Sequence, residues 1–179
     1  MERLQQTSPL PPQPAQAQRR VGREPAAETP QPAADKPASS AAQEMDRLIA
    51  ELLVCDREKA KAVVEELRLF HPHAVAERLA ERFETANGVR EKARAVWAAG
   101  ELCERHGLAF LARCAQSEEY EVRRLAASAL GKAARVARMA HAEDLAAARA
   151  ALVRLLDDPA PQVRQYAQSS LEEIPPGKP

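Results

Sequence analysis

Apolar residues between positions 43 and 174 recur at the spacing of amphipathic helices. The clearest example starts at Val122, where small or apolar side chains follow four, seven and eight positions later. Those offsets fall on one face of a helix. No segment of this range shows the period-two alternation that predicts a half-buried strand, and good helix formers (Ala, Leu, Glu and Arg) dominate it. The pattern predicts an all-α domain.

This helical pattern occurs in three copies that begin 33 and 41 residues apart. Each copy starts with a Val-Arg pair and has Ala four residues after the Val. The pairs are Val89–Arg90, Val122–Arg123 and Val163–Arg164, and the apolar residues eight positions after each Val are Trp97, Leu130 and Leu171. A weaker copy precedes them, with Asp56 in the place of the Val. Such a repeat predicts stacked helix pairs that share one core, in which we expect Leu125, Leu130, Leu171 and Trp97 to be buried.

Glycine, proline and serine residues divide this range into four pairs of helices. Ser117 is the predicted N-cap of the sixth helix, because a serine hydroxyl accepts a hydrogen bond from a free backbone N–H there. The predicted pairs are 44–55 with 57–70, 72–85 with 88–106, 108–116 with 118–139, and 143–157 with 160–174.

The two ends of the chain differ from this helical range. Eight of the fourteen prolines stand within residues 1–42, where Gln, Ala and Ser make up most of the remainder. Such a composition buries too little apolar surface to offset the entropy lost on ordering. We therefore predict a disordered tail over 1–42, a helical domain over 43–174 and a short C-terminal tail over 175–179.

The repeated unit resembles the second half of a HEAT repeat, in particular that of the phycobilisome-lyase-like subtype. The segments that carry the resemblance are Asp158-Pro-Ala-Pro-Gln-Val163-Arg164 and the helix from Val122 to Gly131. The resemblance implies a short α-solenoid of about four helix pairs whose second helices line the concave, partner-binding side. Glu84 and Ser117 stand where the family has an Asp, so an Asp–Arg ladder between units would be incomplete here.

Charge and motifs narrow the range of functions. Lys and Arg together number 26, as do Asp and Glu, so no net charge favours nucleic acid as a partner of the whole chain. The sequence shows no phosphate-binding glycine loop, no nucleophile elbow and no run of 18 apolar residues. The three cysteines lack metal or disulfide spacing and are interpreted as reduced, buried thiols. We expect a cytoplasmic protein that is not an enzyme, uses no cofactor or metal and does not enter a membrane.

Two sets of arginines and lysines are the candidate site residues. The first set, on the third long helix, is a candidate binding surface for phosphates or an acidic protein, with a solvated helix face as the alternative explanation. It consists of Arg124, Lys132, Arg135 and Arg138. The second set, Arg90, Arg123 and Arg164, is interpreted as structural, because a residue repeated with the unit meets a repeated environment.

The main functional hypothesis is a non-catalytic scaffold or adaptor that binds another protein through the concave side of the solenoid. A first alternative is an accessory module associated with nucleic acid, because Val122–Lys132 resembles the HEAT units of some RecQ-type helicases. A second alternative is a bilin lyase-like subunit, which the resemblance to the lyase subtype implies.

Overall fold

The computed structural model describes residues 36–137 and 142–174, with side chains from residue 40 onward. This part of the chain contains eight helices and no strand, which confirms the predicted all-α class. None of these helices combines the length and apolar character needed to cross a membrane. They are α1 (Lys36–Val54), α2 (Arg57–Leu67), α3 (Pro72–Thr85), α4 (Val89–Leu102), α5 (Glu104–Cys114), α6 (Tyr120–Val136), α7 (Ala142–Leu155) and α8 (Pro161–Glu173).

The eight helices form four helical hairpins, which stack in chain order. Each odd-numbered helix packs against the even-numbered helix that follows it. The first helices of the pairs contact one another in sequence (α1, α3, α5, α7), and so do the second helices (α2, α4, α6, α8). This two-layer arrangement is a short α-solenoid of four helix pairs, as predicted.

Most helix boundaries differ from the predicted ones, among them those of α1, α4 and α6. Helix α1 begins at Lys36, within the predicted tail and eight residues before the start predicted at 44. Helix α4 ends at Leu102, and Glu104 adopts a left-handed φ of 43° that turns the chain into α5. Helix α6 begins at Tyr120, so the prediction of Ser117 as its N-cap was wrong: Glu119 holds that position without a side-chain cap, and its N–H donates to the Ser117 hydroxyl in the preceding turn. The prediction of tails over 1–35 and 175–179 lies outside the described residues.

The repeated apolar positions differ from one another in their burial. Val122, Leu130 and Val163 are fully buried, as expected. By contrast, the side chain of Val89 is 41% exposed. Three residues that were expected in the core pack against it but are only partly buried: Trp97, Leu125 and Leu171.

Uneven packing of the second-helix layer explains this difference. Helix α4 packs closely along α6, as α6 does along α8, whereas α2 touches α4 over a much shorter length. Side chains on the α2-facing side of α4, among them Val89 and Trp97, therefore keep contact with solvent. For Leu171 the reason is its place on α8, which no later helix covers within the described residues.

Glycines allow the close approach of α4, α6 and α8. A Cβ placed on Gly100 would lie 2.6 Å from the Cβ of Ala129, and a Cβ on Gly131 would lie 2.6 Å from the Cβ of Ser170. Ser170 is buried, and its hydroxyl donates to the carbonyl oxygen of Ala127 at 2.8 Å. The small residues thus set the spacing between neighbouring units.

Replacing Gly131 tests this spacing. The valine side chain of Gly131→Val would overlap the Ser170 Cα as well, which lies 2.9 Å from the Cβ site, so α8 must shift. We expect a loss of about 1–3 kcal/mol in the free energy of unfolding, measured by urea denaturation. Gly88→Ser is the control, because nothing lies within 4 Å of its Cβ site, and it should change stability by less than about 0.5 kcal/mol. Equal losses in both variants would contradict the close contact.

Candidate binding groove

An open groove of about 960 Å³ runs across the second helices of the first three pairs. Helices α2 and α6 contribute their first turns, whereas α4 contributes side chains along nearly its whole length. The groove forms where α2 and α4 pack loosely, so it follows from the uneven spacing described above. Its walls and floor are lined by Arg57, Lys61, Val89, Arg90, Ala93, Arg94, Trp97, Glu101, Glu121, Arg124 and Leu125.

The groove carries an excess of positive charge, with five cationic side chains and two carboxylates among its lining residues. Arg124 forms an ion pair with Glu121 at 2.8 Å. Lys61 pairs with Glu58 at 3.0 Å. Among the described residues, neither Arg57 nor Arg90 has a carboxylate within the 4.0 Å that defines an ion pair. Arg94 has no such carboxylate among the described residues either, so three guanidinium groups of the lining are without an ion-pair partner there.

The floor of the groove contains a tryptophan held by an arginine. The guanidinium of Arg94 lies 5.6 Å from the ring centroid of Trp97, within the range of a cation–π contact. The same guanidinium donates from Nη2 to the carbonyl oxygen of Cys55 at 3.4 Å. These contacts fix both side chains, so the half-buried ring is a preformed apolar surface beside a fixed positive charge.

The predicted basic surface on α6 is only partly in this groove. Arg124 lines it. Lys132 instead forms an ion pair with Glu101 of α4, and Arg135 lies 3.9 Å from Glu173 of α8. Arg138 lies outside the described residues. The prediction of a binding surface through these four residues stays a prediction, and the structure places one of them among the groove residues.

Arg123, the repeated arginine of the third unit, ties that unit to the fourth. Its Nε donates to Asp158 Oδ2 at 2.6 Å. Its Nη1 donates to the carbonyl oxygens of Ser117 and Glu118 at 3.0 and 2.7 Å. One guanidinium thus holds the turn before its own helix and the turn before α8.

The arginines equivalent to Arg123 in the neighbouring units make different contacts. Arg164 donates to the carbonyl oxygens of Asp158 and Pro159 at 2.7 and 3.0 Å. Like Arg123, it thus binds the turn that precedes its own helix. Arg90 would need a carboxylate at position 117 to repeat the contact with the following unit, and Ser117 stands there. Its exposed side chain lines the groove instead.

Two carboxyl groups at the unit junctions have lowered pKa values. Burial acts to raise the pKa of Asp158, but hydrogen bonds from Arg123 and from the Ala160 N–H outweigh it, and the net direction is downward. Hydrogen bonds from Lys92 and Ser117 lower the pKa of Glu119 to about 2. Lys92 and Glu119, 2.8 Å apart, link the second and third units in place of the missing Asp–Arg pair.

The cysteines are free thiols, and their burial differs. Burial raises the pKa of Cys103 and of Cys114 to about 12, so neither forms a thiolate near neutral pH. Cys55 is half-buried. We expect a disulfide reagent such as DTNB to modify one thiol of the native chain rapidly and the other two only after unfolding. Rapid modification of all three would contradict the burial of Cys103 and Cys114.

His71 and His73 at the start of α3 meet His106, which lies more than 30 residues later at the start of α5. The ring of His106 lies 5.9 Å from that of His71 and 5.3 Å from that of His73, between centroids. Burial, with Arg105 beside it, lowers the pKa of His106. The Nδ1 of His71 accepts the N–H of His73 and caps α3. Within the described residues, no group of three or more His, Cys, Asp or Glu side chains is arranged to hold a metal ion.

Comparison with known proteins agrees with this architecture. The family profile described as HEAT repeats matches residues 76–172, more than half of the chain. Neither a search of curated proteins nor a search of solved structures found a match. The matched segment runs from α3 to α8 and covers all three clear copies of the Val-Arg unit. The chain therefore belongs to the HEAT-repeat family.

Proposed function

We propose that this chain is a non-catalytic binding module that holds another protein on the second-helix layer of its solenoid. HEAT repeats commonly mediate protein–protein interaction. By the family resemblance, the second helices line the concave side of the stack. The observation that carries the proposal is the groove across α2, α4 and α6, which combines unpaired guanidinium groups with an accessible apolar floor.

The chemistry of the groove favours binding over catalysis. Its lining has no cysteine, serine or histidine, and its two carboxylates, Glu101 and Glu121, form ion pairs with Lys132 and Arg124. The HEAT-repeat family is also generally non-enzymatic. Free thiols with raised pKa values fit a reducing compartment and support a cytoplasmic location as part of the proposal.

Site-specific photocrosslinking in a cell lysate tests the proposed face. The photoreactive residue p-benzoylphenylalanine replaces Leu125 in the groove, and in a matched variant it replaces the exposed Val153 on α7, in the first-helix layer. We expect discrete protein adducts at position 125 that excess unmodified chain competes away, and none at position 153. Adducts at position 153 alone, or at neither position, would contradict the proposal.

Nucleic-acid association is the second candidate function, because the five cations of the groove also suit phosphates. The same experiment separates it from protein binding, since adducts at position 125 would then disappear after nuclease treatment. A bilin-handling role has the resemblance to the lyase subtype as its support. Bilin absorbance that purifies with the chain after co-expression would favour that role.

A further inference from the structure

The groove offers two kinds of contact side by side, which together define a ligand chemistry. Arg57 on α2 and Arg90 on α4 present guanidinium groups with no carboxylate within 4.0 Å among the described residues. Between them and α6 lies an apolar floor that includes the exposed Val89 and the half-buried Trp97. A ligand that fills this groove must bring negative charge and an apolar side chain together.

The unpaired state of Arg90 has a specific origin in the sequence. At the equivalent position, Arg123 is held by Asp158 of the next unit at 2.6 Å. The place of that carboxylate is taken by Ser117 in the preceding junction, and the link between the units passes to Lys92 and Glu119. The substitution releases one guanidinium from the interior of the stack to the groove without breaking the contact between units.

The composition of the walls favours a peptide over a nucleic acid. Glu101 and Glu121, which form ion pairs with Lys132 and Arg124, interrupt the positive charge of the lining, so the groove offers no continuous cationic track for a chain of phosphates. An acidic peptide can place its carboxylates opposite the arginines and leave other positions uncharged. Val89 and Leu125 add an aliphatic surface beside Trp97 that suits a leucine or phenylalanine side chain.

We infer that the groove binds a short acidic segment of another protein through Arg57 and Arg90, with one large apolar side chain of that segment packed on Trp97. This inference rests on the proposed protein-binding function and adds the chemistry of its ligand. The volume of about 960 Å³ lies near the upper end of the usual range for ligand pockets, which fits a short segment and not a folded domain.

Selection from a random heptapeptide library displayed on phage tests the inference with the full-length chain. Retained peptides should be enriched in Asp and Glu and should carry at least one Leu, Ile, Phe or Trp. Because the chain has a single tryptophan, a retained peptide should also change the fluorescence of Trp97 on binding. Retention of basic or uncharged peptides, or of none, would overturn the inference.

Matched variants locate the binding in the groove. Arg57→Ala combined with Arg90→Ala should weaken the retained peptides at least tenfold, measured by fluorescence anisotropy. The control combines Arg82→Ala on α3 with Arg154→Ala on α7, which removes the same charge from two exposed sites outside the groove and should change affinity less than twofold. Equal weakening by both pairs would overturn the inference, as would tighter, groove-dependent binding of an oligothymidylate.

The outcomes for the ligand and for the proposed function are distinguishable. Suppose that adducts form at position 125 and excess unmodified chain competes them away, but acidic peptides do not bind. That result would support the protein-binding function and overturn the ligand chemistry. Absence of adducts at position 125 together with failure of the peptides would overturn both.

Discussion

Replacing Arg123 with alanine is expected to lower the free energy of unfolding by about 3 kcal/mol, as measured by urea denaturation. The side chain of Asp158 is 3% exposed, so the substitution leaves a buried carboxylate without its ion-pair partner. It also removes the donors to the carbonyl oxygens of Ser117 and Glu118. The estimate lies at the low end for buried pairs because Arg123 itself keeps some contact with solvent.

The equivalent arginine of the preceding unit is the control. Arg90 is exposed and has no carboxylate partner among the described residues, so Arg90→Ala should change stability by less than about 0.5 kcal/mol. Comparable losses in the two variants would show that the position acts alike in both units. That result would remove the distinction between a junction arginine and a groove arginine.

The effect of Arg123→Ala should also depend on pH. The pKa of Asp158 in the folded chain is below its ordinary value of 3.8, so the ion pair contributes its full stabilisation above about pH 4. That contribution is lost as the pH falls through the folded-state pKa, because the carboxyl group then becomes protonated. The stability difference between wild type and Arg123→Ala should therefore shrink below pH 4, and a difference that grows there would contradict the pairing.

Truncation of Leu130 is expected to cost about 2–5 kcal/mol in the free energy of unfolding. This side chain is fully buried in the middle of α6, the helix that packs against α4, α5 and α8. Leu130→Ala removes apolar contacts and leaves a cavity that helices held at close distance, as at Gly131 and Ser170, fill poorly.

An exposed leucine serves as the reference for this truncation. Leu69, which follows α2, is 87% exposed, so Leu69→Ala removes the same atoms without opening a cavity. We expect its urea midpoint to stay within experimental error of wild type. An unchanged midpoint for Leu130→Ala would mean that the repeated apolar positions are not the core of the stack.

The fold was predictable from the sequence because its determinants are local and repeated. The spacing of Val122, Ala126 and Leu130 defines a helix face, and recurrence of that face predicts a stack. The break after Leu102 was not predictable in the same way. It depends on a left-handed residue, Glu104, in a sequence of good helix formers, and packing of the neighbouring helices outweighs that local preference.

The groove was less accessible to sequence reasoning because it depends on the distance between helices. Arg90, Arg94 and Trp97 follow one another at helical spacing, a signal of a mixed cationic and aromatic face. Their exposure depends on loose packing between α2 and α4, which no single segment encodes. Position 117 did carry a signal, since the absence of the family's Asp predicted an incomplete ladder, and the structure shows Arg90 without that partner.

Urea unfolding of the full chain, followed by two probes at once, tests the central claim that the helix pairs share one interior. Fluorescence of the single tryptophan reports on α4, whereas far-ultraviolet circular dichroism reports on all helices. One interior predicts that the two transitions coincide in midpoint and slope. Loss of the native tryptophan signal while most of the helical signal persists would contradict a shared core.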